Sequence, residues 1–163
     1  MTIKLQFEVR RVEAHERPQV ANFLEAHWGS VQIVSRGHIH QADCLPAFVA
    51  IWDEQVVGLV TYHIHQGMCE IVSLDSLIVK IGVGTALINA VIDEATRYNC
   101  KRAWLITTND NEPAIRFYER QGMTLVAIHQ NALHESRKLK PEIPHTGLGG
   151  KPLRDETEFE FRL

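Results

Sequence analysis

Residues 69–87 read Cys-Glu-Ile-Val-Ser-Leu-Asp-Ser-Leu-Ile-Val-Lys-Ile-Gly-Val-Gly-Thr-Ala-Leu, and the rest of the chain is organised around this segment. Its first part, residues 69–78, is rich in apolar and β-branched side chains, which predicts a β-strand. Gly82 and Gly84 come next and mark a turn, because glycine adopts backbone angles that other residues avoid. The stretch therefore predicts a strand that ends in a glycine turn.

A helix is predicted after the turn. Apolar residues recur at every third or fourth position over residues 83–98, as on one face of an amphipathic helix, and Asn99 fits a left-handed end. The first N–H groups of a helix lack partners within it, and together with the helix dipole they favour an anion by roughly 0.3–1 kcal/mol at an exposed site. Gly82 and Gly84 would let phosphate oxygens approach those groups. The alternative is an ordinary turn in which small residues permit close packing.

The residues that follow separate this turn from two common phosphate-binding motifs. Leu87 stands where a dinucleotide-binding fingerprint has its third glycine, and no Gly-Lys-Ser or Gly-Lys-Thr follows the turn, so neither motif fits. A second apolar run at residues 103–107 predicts another strand. A polar cluster at residues 108–111 and a helical pattern over residues 112–121 come after it.

Residues 109–123 read Asn-Asp-Asn-Glu-Pro-Ala-Ile-Arg-Phe-Tyr-Glu-Arg-Gln-Gly-Met. Together with the glycine turn, this run resembles the acyl-CoA site of the GNAT N-acetyltransferase superfamily, and Asn111, Ala114, Tyr118 and Gly122 carry the resemblance. It is close over residues 69–123 and loose over the flanks. It implies an α+β fold with a mixed, mostly antiparallel sheet and helices on both faces, and a single GNAT N-acetyltransferase domain over residues 1–163.

The resemblance also implies acetyl-CoA as the cofactor. Backbone amides of residues 77–79 are expected to pair with its pantetheine, and those of residues 81–85 to bind its pyrophosphate. Family members usually carry Arg or Gln three residues before the first glycine, in a longer loop; this chain has Val79 there, so Lys80 is the expected counter-charge. The predicted cofactor-binding residues are Leu77, Ile78, Val79, Lys80, Ile81, Gly82, Val83, Gly84, Thr85, Asn111 and Ala114.

Acetyl transfer from a thioester to an amine needs a neutral amine, a stabilised carbonyl oxygen and a proton for the departing thiolate. By resemblance, Tyr118 is the general acid; a merely packed tyrosine is the alternative. Glu70 lies in an otherwise apolar strand, where similar proteins place a base; a solvent-facing carboxylate is the alternative. Asn111 matches the residue that contacts pantetheine, but a residue just before Pro113 serves equally well as a helix cap.

Residues 30–43 have no clear periodicity. In the family, the region over the first helices shapes the acceptor pocket, so the resemblance makes Trp28, Arg36 and His38 candidate substrate contacts. For Trp28 the alternative is an aromatic residue in the core or at its edge.

Histidines are paired at 38 and 40 and again at 63 and 65. This spacing places two imidazoles on one face of a strand, which occurs in metal sites, but no Cys or carboxylate ligand pattern accompanies either pair. No metal is therefore predicted. His63 is a further candidate for contact with the substrate.

The remaining pattern completes the element order. Residues 45–52 and 56–65 are joined by a hairpin-length turn and, with residues 69–78, predict an antiparallel meander. Residues 134–155 are polar or rich in Pro and Gly, which predicts a long loop: a lid, a binding loop, a mobile tail or a wrapped connector. The other predicted elements are strands at 7–12, 124–130 and 158–163 and a helix at 18–28.

Composition narrows the class of protein. A chain of 163 residues with 45% hydrophobic content has enough apolar residues for one packed domain. A net charge of −3 argues against a nucleic-acid or anionic-membrane binder, and no apolar run reaches the roughly 20 residues that cross a bilayer. Three widely separated cysteines and an alternating N-terminus without a leader pattern predict a cytoplasmic protein.

The sequence as a whole predicts an acetyl-CoA-dependent N-acetyltransferase in which the amine attacks the thioester directly. The acceptor would be a small-molecule or peptide amine, and a homodimer is compatible with the pattern. Two alternatives stay open: a noncatalytic acyl-CoA-binding module or sensor, and a nucleotide-binding domain that uses the glycine turn for another phosphate.

Overall fold

A computed structural model describes residues 6–163, so the predicted alternation at residues 1–5 lies outside the described part. The strands are β1 Glu8–Arg11, β2 Gln32–Ser35, β3 His38–Gln41, β4 Ala47–Trp52, β5 Gln55–His65, β6 Met68–Ser76, β7 Arg102–Thr108, β8 Thr124–His129 and β9 Glu156–Arg162. The helices are α1 Arg17–Trp28, α2 Val83–Arg97, α3 Glu112–Arg120 and α4 Ala132–Leu139. Within the described residues, the main sheet has seven strands in the order β1-β4-β5-β6-β7-β9-β8.

Within this sheet only the β6–β7 pair of the described strands is parallel, so the mixed, mostly antiparallel α+β prediction is confirmed. The predicted meander is confirmed as well. Two-residue turns with positive φ join its strands, Asp53 and Glu54 after β4 and Gln66 and Gly67 after β5. Such turns match the right-handed twist of the strands that they connect.

Helices cover both faces of the sheet. On one face, α2 buries Leu87 and Val91 against β4, β5 and β6, and α3 packs beside it through Tyr118. On the other face, α1 buries Val20 and Leu24 in a second apolar cluster. Residues of opposite parity on β4 feed the two clusters, because successive side chains of a strand point to opposite faces.

The parallel pair opens partway along its length. Met68, Cys69 and Glu70 pair with residues 102–104, and no pairing between β6 and β7 extends beyond Trp104 in the described chain. A β-bulge at Thr61/Tyr62 shifts the register of the neighbouring β5–β6 pair at this level. Bulges bend the strand that carries them and increase its twist. From Ile71 onward, β6 therefore presents an edge without strand partners toward β7.

Two segments differ from their prediction. Residues 30–43, left unassigned, include the hairpin β2–β3, whose turn residues Arg36 and Gly37 have φ of 48° and 78°. The first part of the predicted loop at 134–155 belongs to helix α4, which buries Leu133 and Ser136. Sequence patterns missed α4 because most of its residues are polar. Arg137 holds the rest of the segment through hydrogen bonds that it donates to the backbone oxygens of residues 143, 144 and 153.

Gly58 provides a test of how closely α2 packs on the sheet. A Cβ at this position would lie 2.6 Å from Val83 Cγ1 and 3.1 Å from the carbonyl oxygen of Asp75. We expect Gly58→Ala to lower the free energy of unfolding by about 1–3 kcal/mol, because overpacking forces the helix outward. Urea denaturation measures this change. Gly67→Asn is the control, since its Cβ would meet nothing within 4 Å and asparagine tolerates positive φ. Equal losses in the two variants would contradict the tight contact.

Candidate active site

Three cavities with shared lining residues follow one another along β6. The first, here called the glycine-turn cavity, has a volume of about 630 Å³ and lies at the start of α2. The second, the cleft, has about 240 Å³ and shares Leu74, Ala114 and Tyr118 with the first. The third, the hairpin cavity, has about 680 Å³ under the β2–β3 hairpin and meets the cleft at Ser35. The series therefore runs from the glycine turn, past the opening, to the part of β6 that is paired with β7.

The glycine-turn cavity is lined by the N-terminus of α2. Gly82 is the N-cap residue with φ of 88°, and the first helical bond runs from the Ala86 N–H to its carbonyl oxygen. The N–H groups of residues 83–85 therefore have no acceptor within the helix. A Cβ at Gly82 would meet nothing within 4 Å, whereas one at Gly84 would lie 2.9 Å from Phe117 Cζ. Gly82 thus leaves open space at the turn, and Gly84 permits close packing of α2 on α3.

Most predicted cofactor-binding residues line these cavities. Ile78, Val79, Lys80, Gly82, Val83, Gly84, Thr85 and Ala114 border the glycine-turn cavity, and Asn111 borders the cleft. Leu77 is an exception, because its N–H donates to the Val57 carbonyl oxygen at 2.8 Å and is not available to a ligand. The Ile81 side chain packs against the core, and the expected contact of its backbone N–H with pyrophosphate stays a prediction. The structure thus corrects the prediction for the Leu77 N–H.

A second cation beside Lys80 was not predicted. Arg120, at the end of α3, lines the same cavity. Phe117 and Gln121 of α3 line it too, which fits positions three and four apart on one helix face. This helical spacing is the sequence signal that could have predicted Arg120 as a cavity residue. The cavity therefore combines free N–H groups with two cationic side chains.

Tyr118 lies where the glycine-turn cavity meets the cleft. Its ring packs near Phe159, with 6.0 Å between ring centroids, and the residue also lines both cavities. Tyr118 is therefore a packed tyrosine that also borders the candidate site. Burial raises the pKa of the Tyr118 phenol, and the nearby carboxylate of Asp75 acts in the same direction. The hydroxyl is therefore protonated at neutral pH and is able to donate a proton within the cleft.

Asp75 and Trp28 form a polar contact on the cleft wall. Trp28 Nε1 donates to Asp75 Oδ2 at 2.7 Å, and Trp28 is 42% exposed, so the core alternative for this residue is wrong. Burial raises the pKa of Asp75, and the hydrogen bond from Trp28 offsets part of that effect. Asp75 had no sequence signal beyond its place in an apolar strand.

Asn111 is the N-cap of α3. Its Oδ1 accepts a hydrogen bond from the Ala114 N–H at 3.3 Å, so the cap alternative is confirmed. It also borders the cleft. Its position fixes the start of the helix that carries Tyr118.

Glu70 is buried at the edge of the hairpin cavity, with 7% of its surface exposed, so the solvent-facing alternative is wrong. Ser35 Oγ donates to Glu70 Oε2 at 2.5 Å. His40 Nε2 lies 3.2 Å from Glu70 Oε1, but the contact does not have hydrogen-bonding geometry, and this nitrogen has no hydrogen-bond partner among residues 6–163. Both neighbours come from the β2–β3 hairpin, which sequence patterns did not resolve.

The predicted substrate contacts fall into two groups. Arg36, His38 and His63 line the hairpin cavity, whereas Trp28 lines the cleft. Arg36 Nη1 donates to Glu156 Oε1 at 3.0 Å. Burial lowers the pKa of His63, and the neighbouring imidazoles add to this effect. His63 is therefore neutral at pH 7.

Within residues 6–163, no group of three or more His, Cys, Asp or Glu side chains is arranged to hold a metal ion. None of the helices in that range combines the length and the apolar character that a membrane crossing requires.

Comparison with known proteins identifies the family. A family model described as Acetyltransferase (GNAT) family matches residues 7–123. The chain belongs to the GNAT acetyltransferase family. It is 40% identical over 141 residues to the uncharacterized protein YdhI of Bacillus subtilis, and the matched region covers 86% of this chain and 88% of that protein.

Solved GNAT structures share the fold. A GNAT family acetyltransferase from Elizabethkingia anophelis with acetyl-CoA bound has a TM-score of 0.67 and 14% identity, over 96% of this chain and 98% of that one. The ribosomal-protein-S18-alanine N-acetyltransferase from Escherichia coli has a TM-score of 0.66 and 15% identity, over 96% and 94%. At these identities the likeness concerns the fold.

The raised pKa of Asp75 predicts that the stability of the folded protein depends on pH. A carboxyl group whose folded pKa lies above its unfolded value keeps its proton longer in the folded state, so stability falls as the pH rises through these values. We expect Asp75→Asn to be more stable than the wild type at pH 7 and to lose this advantage below about pH 4, where the unfolded carboxyl is also protonated. Denaturant midpoints at both pH values test this. The control is Asp93→Asn, an exposed position on α2 that should show no such difference. A destabilised Asp75→Asn at pH 7 would contradict the expectation.

Proposed function

We propose that the protein is an acetyl-CoA-dependent N-acetyltransferase that passes the acetyl group directly to an amine. One observation carries this proposal: free helix N–H groups, a buried phenol and a buried carboxylate lie in that order along one series of cavities. The family supports acetyl transfer. The Elizabethkingia relative with acetyl-CoA bound supports the donor, and the S18-alanine N-acetyltransferase supports an amine acceptor.

The residues at the glycine turn fit a pyrophosphate. The N–H groups of residues 83–85 have no acceptor within the helix, the space beside Gly82 is open, and Lys80 and Arg120 line the same cavity. Backbone donors at a helix start bind phosphate oxygens, and cationic side chains add charge-assisted hydrogen bonds. The edge of β6 without strand partners is available to the amides of pantetheine. Acetyl-CoA, when bound there, supplies an acyl group activated as a thioester.

Tyr118 is the proposed proton donor. The residue lines both the glycine-turn cavity and the cleft, and its raised pKa keeps the hydroxyl protonated at neutral pH. A departing thiolate that is excluded from water is more basic than the same thiolate in solution, and the Tyr118 hydroxyl is the proton donor proposed for it.

Glu70 is the proposed acceptor of the proton that the amine must lose. Its carboxylate is held by Ser35 at 2.5 Å, and that serine lies where the hairpin cavity meets the cleft. A fixed carboxylate at this junction reaches an amine in the cavity directly or through one water. Ser35 acts here as a positioning residue.

We further propose that the protein acts in the cytoplasm on a small-molecule or peptide amine and does not bind nucleic acid, with a homodimer as a compatible assembly. The net charge of −3 supports the proposal that the protein does not bind nucleic acid, because phosphate backbones require a basic surface.

Replacement of Tyr118 tests the proton donor. We expect Tyr118→Phe to lower kcat by about 100-fold or more, because general acid catalysis contributes on that scale. Release of free thiol from acetyl-CoA in the presence of an amine measures the rate, and calorimetry should show CoA affinity close to that of the wild type. Tyr98→Phe is the matched control, since Tyr98 is 65% exposed and lies outside the cavities. An unchanged kcat removes Tyr118 from this role. Binding of acetyl-CoA without thiol release from any amine favours a noncatalytic module instead.

The cationic pair tests the placement of the pyrophosphate. We expect Lys80→Gln and Arg120→Gln each to weaken CoA binding by about 10–100-fold, the range of a charge-assisted hydrogen bond of 1.5–3 kcal/mol. The losses should be absent with S-acetylpantetheine, which has no pyrophosphate. Lys101→Gln, at the opposite end of the parallel pair, is the control. Equal losses with both thioesters would place the pyrophosphate elsewhere.

A further inference from the structure

The described lining of the hairpin cavity contains one carboxylate, Glu70, and no lysine or arginine of that lining contacts it. Glu70 is 7% exposed, its Oε2 accepts a hydrogen bond from the Ser35 hydroxyl, and His40 Nε2 lies 3.2 Å from its Oε1. A buried carboxylate attracts a positive charge strongly, because water does not screen it. The cavity is therefore suited to a cationic group such as an ammonium ion.

The described lining contains one arginine, Arg36, and its guanidinium is already engaged. Arg36 Nη1 lies 3.0 Å from Oε1 of Glu156, which is 1% exposed. The described lining contains no lysine. A ligand carboxylate would therefore enter beside Glu70 without a free counter-charge, and like charges at such close range cost several kcal/mol.

Apolar and aromatic side chains supply the rest of the cavity wall. Trp104 and Met68 lie on the sheet side, and Ile39 and Leu45 lie on the side of the hairpin and the segment after it. His63 contributes a neutral ring between them, because burial lowers its pKa. Walls of this kind bind an apolar or aromatic body and gain free energy from the surface that they bury.

His40 marks where the polar end of a ligand belongs. Its Nε2 is buried in the lining and has no hydrogen-bond partner among the described residues. A buried polar nitrogen without a partner costs free energy, which a ligand N–H would recover. An ammonium group beside Glu70 has an N–H to spare for it, since three N–H groups are available.

We propose that the acceptor is a small primary amine with an aromatic or apolar body and no carboxylate, bound in the hairpin cavity with its nitrogen at Glu70 and His40. The proposal rests on the acetyltransferase function proposed above and names its substrate class. The ammonium gives one proton to Glu70, and the nitrogen forms a bond to the acetyl carbon. The carbon–sulfur bond breaks as Tyr118 protonates the sulfur, and the second proton that the nitrogen loses restores the Tyr118 phenol. The products are an N-acetyl amide and free CoA.

Matched amines test the class. With the full chain and saturating acetyl-CoA, we expect kcat/KM for 2-phenylethylamine to exceed that for phenylalanine by about 100-fold or more, because the two differ by one carboxylate. Putrescine, which lacks an apolar body, and a short peptide with a free N-terminus should also be poorer acceptors. Mass spectrometry of the acetylated product confirms that thiol release reports transfer and not hydrolysis.

Ile39 offers a change of specificity at an exposed position. It is 43% exposed and lines the cavity, so a charged side chain there should leave folding intact. We expect Ile39→Arg to reduce the preference for 2-phenylethylamine over phenylalanine by about 10-fold, because a free cation then faces the carboxylate. Ile39→Gln, similar in length but uncharged, is the matched control and should keep the wild-type preference.

The outcomes separate this inference from the function on which it rests. Equal or better turnover of phenylalanine, putrescine or the peptide by the wild type overturns the substrate class while CoA binding and acetyl transfer stand. The same preference in Ile39→Arg and Ile39→Gln overturns the charge argument. Absence of heat on titration with CoA, with no transfer to any amine, overturns the proposed function and the inference together.

Discussion

The structure depends on the separation of β6 and β7 beyond Glu70 and Trp104. Parallel strands in a sheet normally pair along their whole length, because an unpaired backbone N–H or C=O away from water costs free energy. Here the pairing between them stops after three residue pairs, and the cleft occupies the space beyond. The cost is met when a ligand with its own amide groups takes the place of the missing strand, which pantetheine is able to do.

The same opening brings together residues with different chemistry. The end of β6 leads into the glycine turn and the donors of α2, while its start holds Glu70 beneath the β2–β3 hairpin. Tyr118 reaches the middle from α3. A cofactor and an acceptor can therefore enter from opposite ends and meet at the cleft. The raised pKa of Asp75 in the cleft wall is consistent with a site where stability is given up for function.

Sequence patterns predicted the elements whose signals are local. The helix after Gly82 ends near Asn99, which has the expected positive φ of 58°, and Gly29 ends α1 in the same conformation. Patterns failed for β2–β3, because its turn has Arg36 in a position that usually carries Asn or Gly. They also failed for α4, whose buried face is short and whose remaining residues are polar.

Local sequence patterns were enough to predict the strand, the glycine turn, the helix and the residues by which the family is identified, since neighbours along the chain set backbone angles and periodicity. The surroundings of Glu70 and Arg36 depend on tertiary packing instead. Ser35 contacts Glu70 from 35 positions away, and Arg36 contacts Glu156 from 120 positions away. Periodicity reports which face a residue occupies, but not which distant face packs against it. The charge and shape of the hairpin cavity follow from that packing.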